Sequence, residues 1–238
     1  MSRMSRRSLL AATAAVAAMY PARPRAAPDL DLQLVLAVDA SGSVSMGRFE
    51  LQKQGYAQAF RDSRVQQAVA SLPGQSIAVT MMQWTGPSLH IQVVPWTEVH
   101  DAASAGMLSD RIAATGRRLY GGGTSISGAI DEARHLFKIS PASPSTRRVI
   151  DVSGDGANNS GRDCATARDE AVADGIVING LPILNVEPDL DVHYRDEVIG
   201  GTGSFMLAID NYDQFAEAIV HKLVTEIAFE PPKSVQNG

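Results

Sequence analysis

Three short stretches carry the side chains from which chemistry could be built. The first is Asp39-Ala40-Ser41-Gly42-Ser43, a carboxylate and two hydroxyls at alternate positions. The others are Gly123-Thr124-Ser125 and Ser153-Gly154-Asp155-Gly156. Their donors are hard oxygens, with no thiolate or imidazole, a chemistry that selects Mg²⁺, Mn²⁺ or Ca²⁺ over zinc or copper. Asp39 ends the apolar run Leu32 to Val38, which reads as a fully buried strand. Open α/β sheets place their ligands at the carboxyl ends of such strands. Alone, D-x-S-x-S is equally a turn or a helix cap. Joined to Thr124 after a triple glycine and Asp155 after a strand, it becomes a candidate divalent-cation site.

Other chemistries find less support. Gly121-Gly122-Gly123-Thr124-Ser125 before a helix could cradle a phosphate, but it lacks the lysine and spacing of a P-loop. Ser41 and Ser43 have no discernible His–Asp pairing, and the five histidines are scattered without ligand spacing. These observations point away from an enzyme. The single cysteine, Cys164, excludes an intrachain disulfide and a thiolate metal cluster, and no base stands near it to activate it. Asp151, inside an apolar strand, is expected to act structurally behind the site. Asn158, Asn159 and Asp163 are expected to line the ligand surface or to cap the next helix. Trp84 and Trp96 are expected to pack at the sheet edge, where an exposed Trp96 would suit a binding surface.

The elements that must position these loops follow from hydrophobic periodicity. Strands are expected at Leu32–Val38, Ser76–Trp84, Leu89–Val94, Arg148–Val152, Gly175–Leu184 and Phe205–Ile209. Helices are expected at Gly47–Asp62, Val65–Leu72, Asp101–Thr115, Ile126–Phe137, Asp163–Asp174, Tyr194–Ile199 and Tyr212–Phe229. Strands alternating with helices, each strand nearly all apolar, imply one doubly wound α/β domain. Its central sheet is mostly parallel, with one antiparallel edge strand and helices on both faces.

The five positions Asp39, Ser41, Ser43, Thr124 and Asp155 together resemble the metal-ion-dependent adhesion site of von Willebrand factor type A domains, over roughly residues 30 to 229. More narrowly, Val149-Ile150-Asp151-Val152-Ser153-Gly154-Asp155-Gly156, Ile178-Asn179-Gly180-Leu181 and Val198-Ile199-Gly200-Gly201 resemble an uncharacterised family of secreted bacterial domains. Ser153-Gly154 before Asp155 departs from many relatives, which carry threonine there. The resemblance implies a divalent ion, Mg²⁺ first among the candidates, held directly by Ser41, Ser43 and Thr124. Asp39 and Asp155 would act directly or through water. It also implies a partner protein whose Asp or Glu carboxylate fills an open position on the ion. An exported, metal-dependent protein-binding module is the function so implied. A metal-dependent hydrolase and a structural subunit whose ion only stiffens the fold are the alternatives.

The chain is 238 residues long, 45% hydrophobic and 20% charged, the size and composition of one well-buried domain. Residues 1–27 read as an export signal: Ser5-Arg6-Arg7-Ser8 precedes an apolar run from Leu9 to Ala18, too short to span a bilayer. The arginine pair resembles a twin-arginine signal, and a periplasmic or secreted bacterial location follows as an expectation. Residues 28–230 would form the domain and 231–238 a tail. Removing the signal takes away five arginines, leaving 16 basic against 26 acidic residues, near −10. Such a chain is a poor candidate for nucleic acid or anionic lipid, and it shows no second segment of transmembrane length.

Overall fold

A computed structural model describes residues 30–140 and 146–229. The expected export signal and tail lie outside the described residues. Five strands form one sheet in the order β3-β2-β1-β4-β5, with β1 Leu32–Asp39, β2 Ile77–Trp84, β3 His90–Val99, β4 Arg147–Gly154 and β5 Ile176–Pro182. β1 pairs in parallel with both β2 and β4, and β4 with β5, while β3 alone is antiparallel. Every residue of β1 is buried, as expected for a strand covered on both faces. Leu32, Leu34, Leu36 and Val38 face one core layer, and Val35 and Ala37 face the other.

The first layer is built from α1 Met46–Arg61, α2 Ser63–Ala70, α3 Ala102–Ala113 and α7 Phe215–Ala228. The second contains α4 Ile126–Lys138, α5 Cys164–Ala173 and α6 Leu190–His193, which runs on through a π turn at Tyr194–Val198. This is the expected doubly wound arrangement, and β1 at its centre delivers Asp39 to the carboxyl edge.

Three expectations need correction. β3 does not stop at Pro95-Trp96 but continues to Val99, crossing register shifts opposite Val79–Met82. As the edge strand it tolerates a proline that a central strand would not. Phe205–Ile209 is not a continuous strand. It meets β5 through one parallel bridge, Gly180↔Met206, and the residue after β5 through another, Ile183↔Ile209. Between them the next donor in register would be Pro182, which has no N–H to give. Trp84 lies in the interior strand β2, fully buried in the second layer, rather than at the edge. Trp96 is partly buried on β3; its Nε1 donates to the Leu136 carbonyl at 3.2 Å, and its ring packs against Phe137.

Asp151 has a partner that local spacing does not announce. Lys222 Nζ lies 2.6 Å from Asp151 Oδ1 and also pairs with Glu226, all three side chains being fully buried. Asn179 Nδ2 donates to Glu226 Oε1 at 3.0 Å. The cluster ties α7 to β4 and β5 at one register, since a helix slid or rotated away would strand charges in an apolar layer. It holds two carboxylates and one ammonium. Burial, and after it the Asp151 charge, pushes Glu226 up to about 7; burial also raises Asp151 against the pull of Lys222. A raised carboxylate favours the protonated folded state. Stability from this cluster is therefore fully present below the ordinary glutamate range, near 4.5, and lost as pH rises through about 7. Lys222→Met is expected to cost ~3–5 kcal/mol because it leaves buried carboxylates unpaired. The loss should be larger at alkaline than at acid pH when read by denaturant unfolding.

Candidate metal centre

The site loops sit where β1 and β4 end. Asp39 closes β1, and Ser41 returns its backbone N–H to Asp39 Oδ1 at 2.7 Å, folding the loop back on the carboxylate. Ser41 Oγ and Ser43 Oγ lie 3.1 Å apart, and Ser43 Oγ donates to Asp155 Oδ1 at 2.5 Å. The Asp155 N–H approaches Asp39 Oδ2 at 3.4 Å. Four of the five sequence-derived residues are thus in a continuous chain of contacts. Thr124 stands beside this chain of contacts, on the second loop. A side chain on Gly156 would meet Thr124 Oγ1 at 3.4 Å, which puts that hydroxyl beside the residue following Asp155.

Each loop is held by groups far away in sequence. Arg117 Nη1 donates to the Val44 carbonyl at 2.6 Å, and Nη2 to those of Ala40 and Ser41, each at 2.9 Å. Gln52 Nε2 donates to the Asp39 carbonyl at 3.2 Å from α1. Loop two is stitched to loop three. The Thr124 N–H donates to Asn159 Oδ1 at 2.9 Å, and the Asn159 N–H returns to the Thr124 carbonyl at 2.9 Å. Asn158 Oδ1 accepts from the Ser127 N–H at 3.0 Å. Asn159 therefore ties loop two to loop three, and Asn158 ties loop three to the first turn of α4; neither caps the next helix, α5. Asp163 does cap α5, accepting from the Thr166 N–H at 2.7 Å.

Gly121, Gly122 and Gly123 all have positive φ, 72°, 98° and 83°. A side chain on Gly122 would also come within 2.6 Å of Leu89. The triple glycine is there for backbone shape. Ser125 caps α4 by accepting from the Gly128 N–H at 3.1 Å, so of the two hydroxyls Thr124 alone is left over from helix capping.

Several residues around Asp155 escape sequence reasoning. Tyr212 donates its phenol to Asp155 Oδ2 at 2.9 Å, and Arg48 Nη1 lies 3.5 Å from the same oxygen. Burial and the Asp155 charge raise the Tyr212 phenol, keeping it a donor. Tyr212 heads the final helical segment and Arg48 sits in the first turn of α1, and neither position carries a motif.

Asp39 and Asp155 are both fully buried, and the positive group beside them, Arg48, is 35% exposed. Burial, and to a lesser degree the Asp155 charge, pushes Asp39 up to about 7 despite the Ser41 hydrogen bonds. A buried Asp39 carboxyl pushed up in this way, with Asp155 and hydroxyls beside it, fits a hard divalent cation. Among the described residues no group of three His, Cys, Asp or Glu could hold a metal, so any cation here must use the hydroxyls. Cys164 is buried and its thiol is pushed up to about 12, chiefly by burial, which leaves it inert as a nucleophile.

Comparison with known proteins places the chain. A family model described as a protein of unknown function (DUF1194) matches residues 29–231. No curated protein matches the chain. Among solved structures, proximal thread matrix protein 1 from the mussel byssus superposes with a TM-score of 0.59 at 14% identity, over 84% of this chain and 48% of that one. The same protein with a zinc-occupied metal-ion-dependent adhesion site gives 0.59 at 13%, over 84% and 46%. The pilus adhesin SpaC from Lactobacillus rhamnosus GG, in its open conformation, gives 0.59 at 13%, over 84% and 30%. The chain spans less than half the length of each of these proteins. The fold is von Willebrand factor A-like, five strands with a single antiparallel edge.

The raised Asp39 carboxyl fixes the sign of a pH effect. Cation-free protein should lose stability as pH rises from the ordinary aspartate range, near 3.8, through about 7. Adding Mg²⁺ should raise Tm clearly at about pH 8 and little at about pH 5, because the cation competes with the proton for the same carboxylate. Melting curves with and without Mg²⁺ at both pH values check this.

Proposed function

The chain belongs to the family described as proteins of unknown function (DUF1194), and from its site we propose that it is a metal-dependent protein-binding module. The observation that carries the reading is the pair of buried carboxylates, Asp39 and Asp155, joined through the hydroxyls of Ser41 and Ser43, with Thr124 next to Gly156. In this reading those five residues hold the ion. The ion, so held, supplies an electrophilic position for a carboxylate of another protein.

The chain's own residues do the rest. Ser41 and Ser43 contribute neutral donors, so that few anionic contacts are spent on the ion and it stays attractive to an external anion. Arg117 and Gln52 fix the first loop by its carbonyls, while Asn159 fixes Thr124, so the hydroxyls are positioned before any ligand arrives. Ser41 and Ser43 bond to each other and to Asp155, and no histidine among the described residues pairs with them, a poor arrangement for a nucleophile. Surface clefts of about 440 and 460 Å³ lie elsewhere, lined by Val93–Pro95 and Arg111 in one case and by Leu207, Ile209 and His221 in the other. A site outside these clefts suits a protein ligand better than an enclosed small molecule. The likeness to a byssal matrix protein and a pilus adhesin agrees with a binding role.

Mg²⁺ is the ion proposed for this oxygen donor set, with Mn²⁺ or Ca²⁺ as substitutes; zinc in the mussel protein makes a zinc titration a necessary control. Export under the N-terminal signal, and binding outside the cytoplasm, belong to the same proposal. Asp39→Ala should abolish Mg²⁺-dependent capture of protein partners while keeping the wild-type circular dichroism spectrum. Capture that survives both this substitution and a chelator would contradict the reading.

A further inference from the structure

The rim of the site is asymmetric, and the asymmetry describes the partner. On one side Arg48 donates Nη1 to the Ser43 carbonyl at 2.9 Å, and its guanidinium lies 5.6 Å over the Tyr212 ring. Among the described residues nothing pairs with its Nε or Nη2, and the side chain is 35% exposed. A planar fork held at one corner, with free donors beside the candidate ion, is suited to a carboxylate.

Two of the exposed large apolar side chains flank the same loop. Met46, three residues beyond Ser43, is 57% exposed, and Tyr120 is 65% exposed. Tyr120 is no loose surface ring. Its hydroxyl donates to the Arg117 carbonyl at 3.0 Å, and its face lies 4.9 Å from the Arg117 guanidinium. That same guanidinium grips the Ala40, Ser41 and Val44 carbonyls. The ring is therefore fixed relative to the site loop, and an aromatic already immobilised loses little entropy on binding. Glu187 accepts from the Ala157 N–H at 3.0 Å, and its Oε1 lies beside Gly156, on the side where Thr124 Oγ1 also lies. A negative group there repels an incoming anion, whereas Arg48 attracts it.

We propose that the partner is a different protein presenting an acidic residue next to an apolar one. The carboxylate is shared between the ion and Arg48, and the apolar side chain rests on Tyr120 and Met46. This rests on the metal-dependent reading above and adds to it the chemistry of the second contact.

The test uses the full chain in Mg²⁺ and two short synthetic peptides with one central aspartate. One peptide is flanked by leucine and phenylalanine, the other by serines. The wild type should bind the apolar-flanked peptide ~10-fold more tightly, as for a well-placed aromatic contact. Tyr120→Ser should erase that preference. Arg48→Gln should weaken both peptides by ~10-fold, as expected for a lost charge-assisted pair. The same substitution should raise cation affinity, because it removes a positive charge beside Asp155. Glu187→Gln should strengthen both peptides. Equal binding of the two peptides by the wild type, or unchanged binding by Tyr120→Ser and Arg48→Gln, would overturn the proposal while leaving the cation site standing. Peptide binding that survives Asp39→Ala would instead sink the metal reading beneath it. A Mg²⁺-dependent dimer in sedimentation, dissolved by Tyr120→Ser, would overturn the foreign partner in favour of a second copy of this chain.

Discussion

Two carboxylates buried side by side at the end of a parallel sheet set the terms for the rest of the molecule. Asp39 and Asp155 arrive there because β1 and β4 are neighbours and end at the same level. Neither reaches solvent. Hydrogen bonds from the Ser41 N–H, Ser43 and Tyr212 soften the cost, and Arg48 supplies some positive charge. They do not remove it, since burial still holds Asp39 near 7. A carboxyl so raised is satisfied by a proton or by a cation. The hydroxyls of Ser41 and Ser43 beside it are donors the proposed cation would use.

The molecule holds a second buried charge cluster, and the contrast is instructive. Asp151, Lys222 and Glu226 carry their counter-ion within the chain, on α7, and are sealed under it. That cluster has no access for an outside group and works as a fastening between helix and sheet. The Asp39–Asp155 pair lies at the sheet's edge, next to half-buried Ser43 and partly exposed Arg48. Similar electrostatics are thus sealed under a helix in one place and left beside a partly exposed rim in the other, and the difference lies in what covers them.

The sequence announces the framework clearly where one physical signal dominates. Strands buried on both faces are nearly continuous apolar runs, so β1, β2, β4 and β5 are legible with ends off by a residue or two. Helices follow from period and caps, as with Asp163 before α5. Legibility fails where neighbours decide. Pro95 reads as a stop until β3 is known to be the edge, and Phe205–Ile209 reads as a strand until Pro182 is known to face it. At the site, the five oxygen donors are legible because three loops carry them in recognisable turns. The groups that orient those loops are not. Arg117 reaches back 73 residues to the Val44 carbonyl, Tyr212 reaches 57 residues to Asp155, and Lys222 closes on Asp151 across the sheet. No local spacing encodes such pairs, because tertiary packing alone brings them together.

The most direct measurement is anomalous diffraction from crystals of the protein grown in Mn²⁺, recorded above the manganese edge. The account requires one strong peak about 2.1–2.3 Å from the hydroxyl oxygens of Ser41, Ser43 and Thr124, with Asp39 and Asp155 bound to it directly or through water. It also requires the peak to vanish in Asp39→Ala crystals. A map with no peak at these residues, or with manganese bound elsewhere on the molecule, would contradict the central claim that this cluster of buried carboxylates and hydroxyls is built to hold a divalent ion.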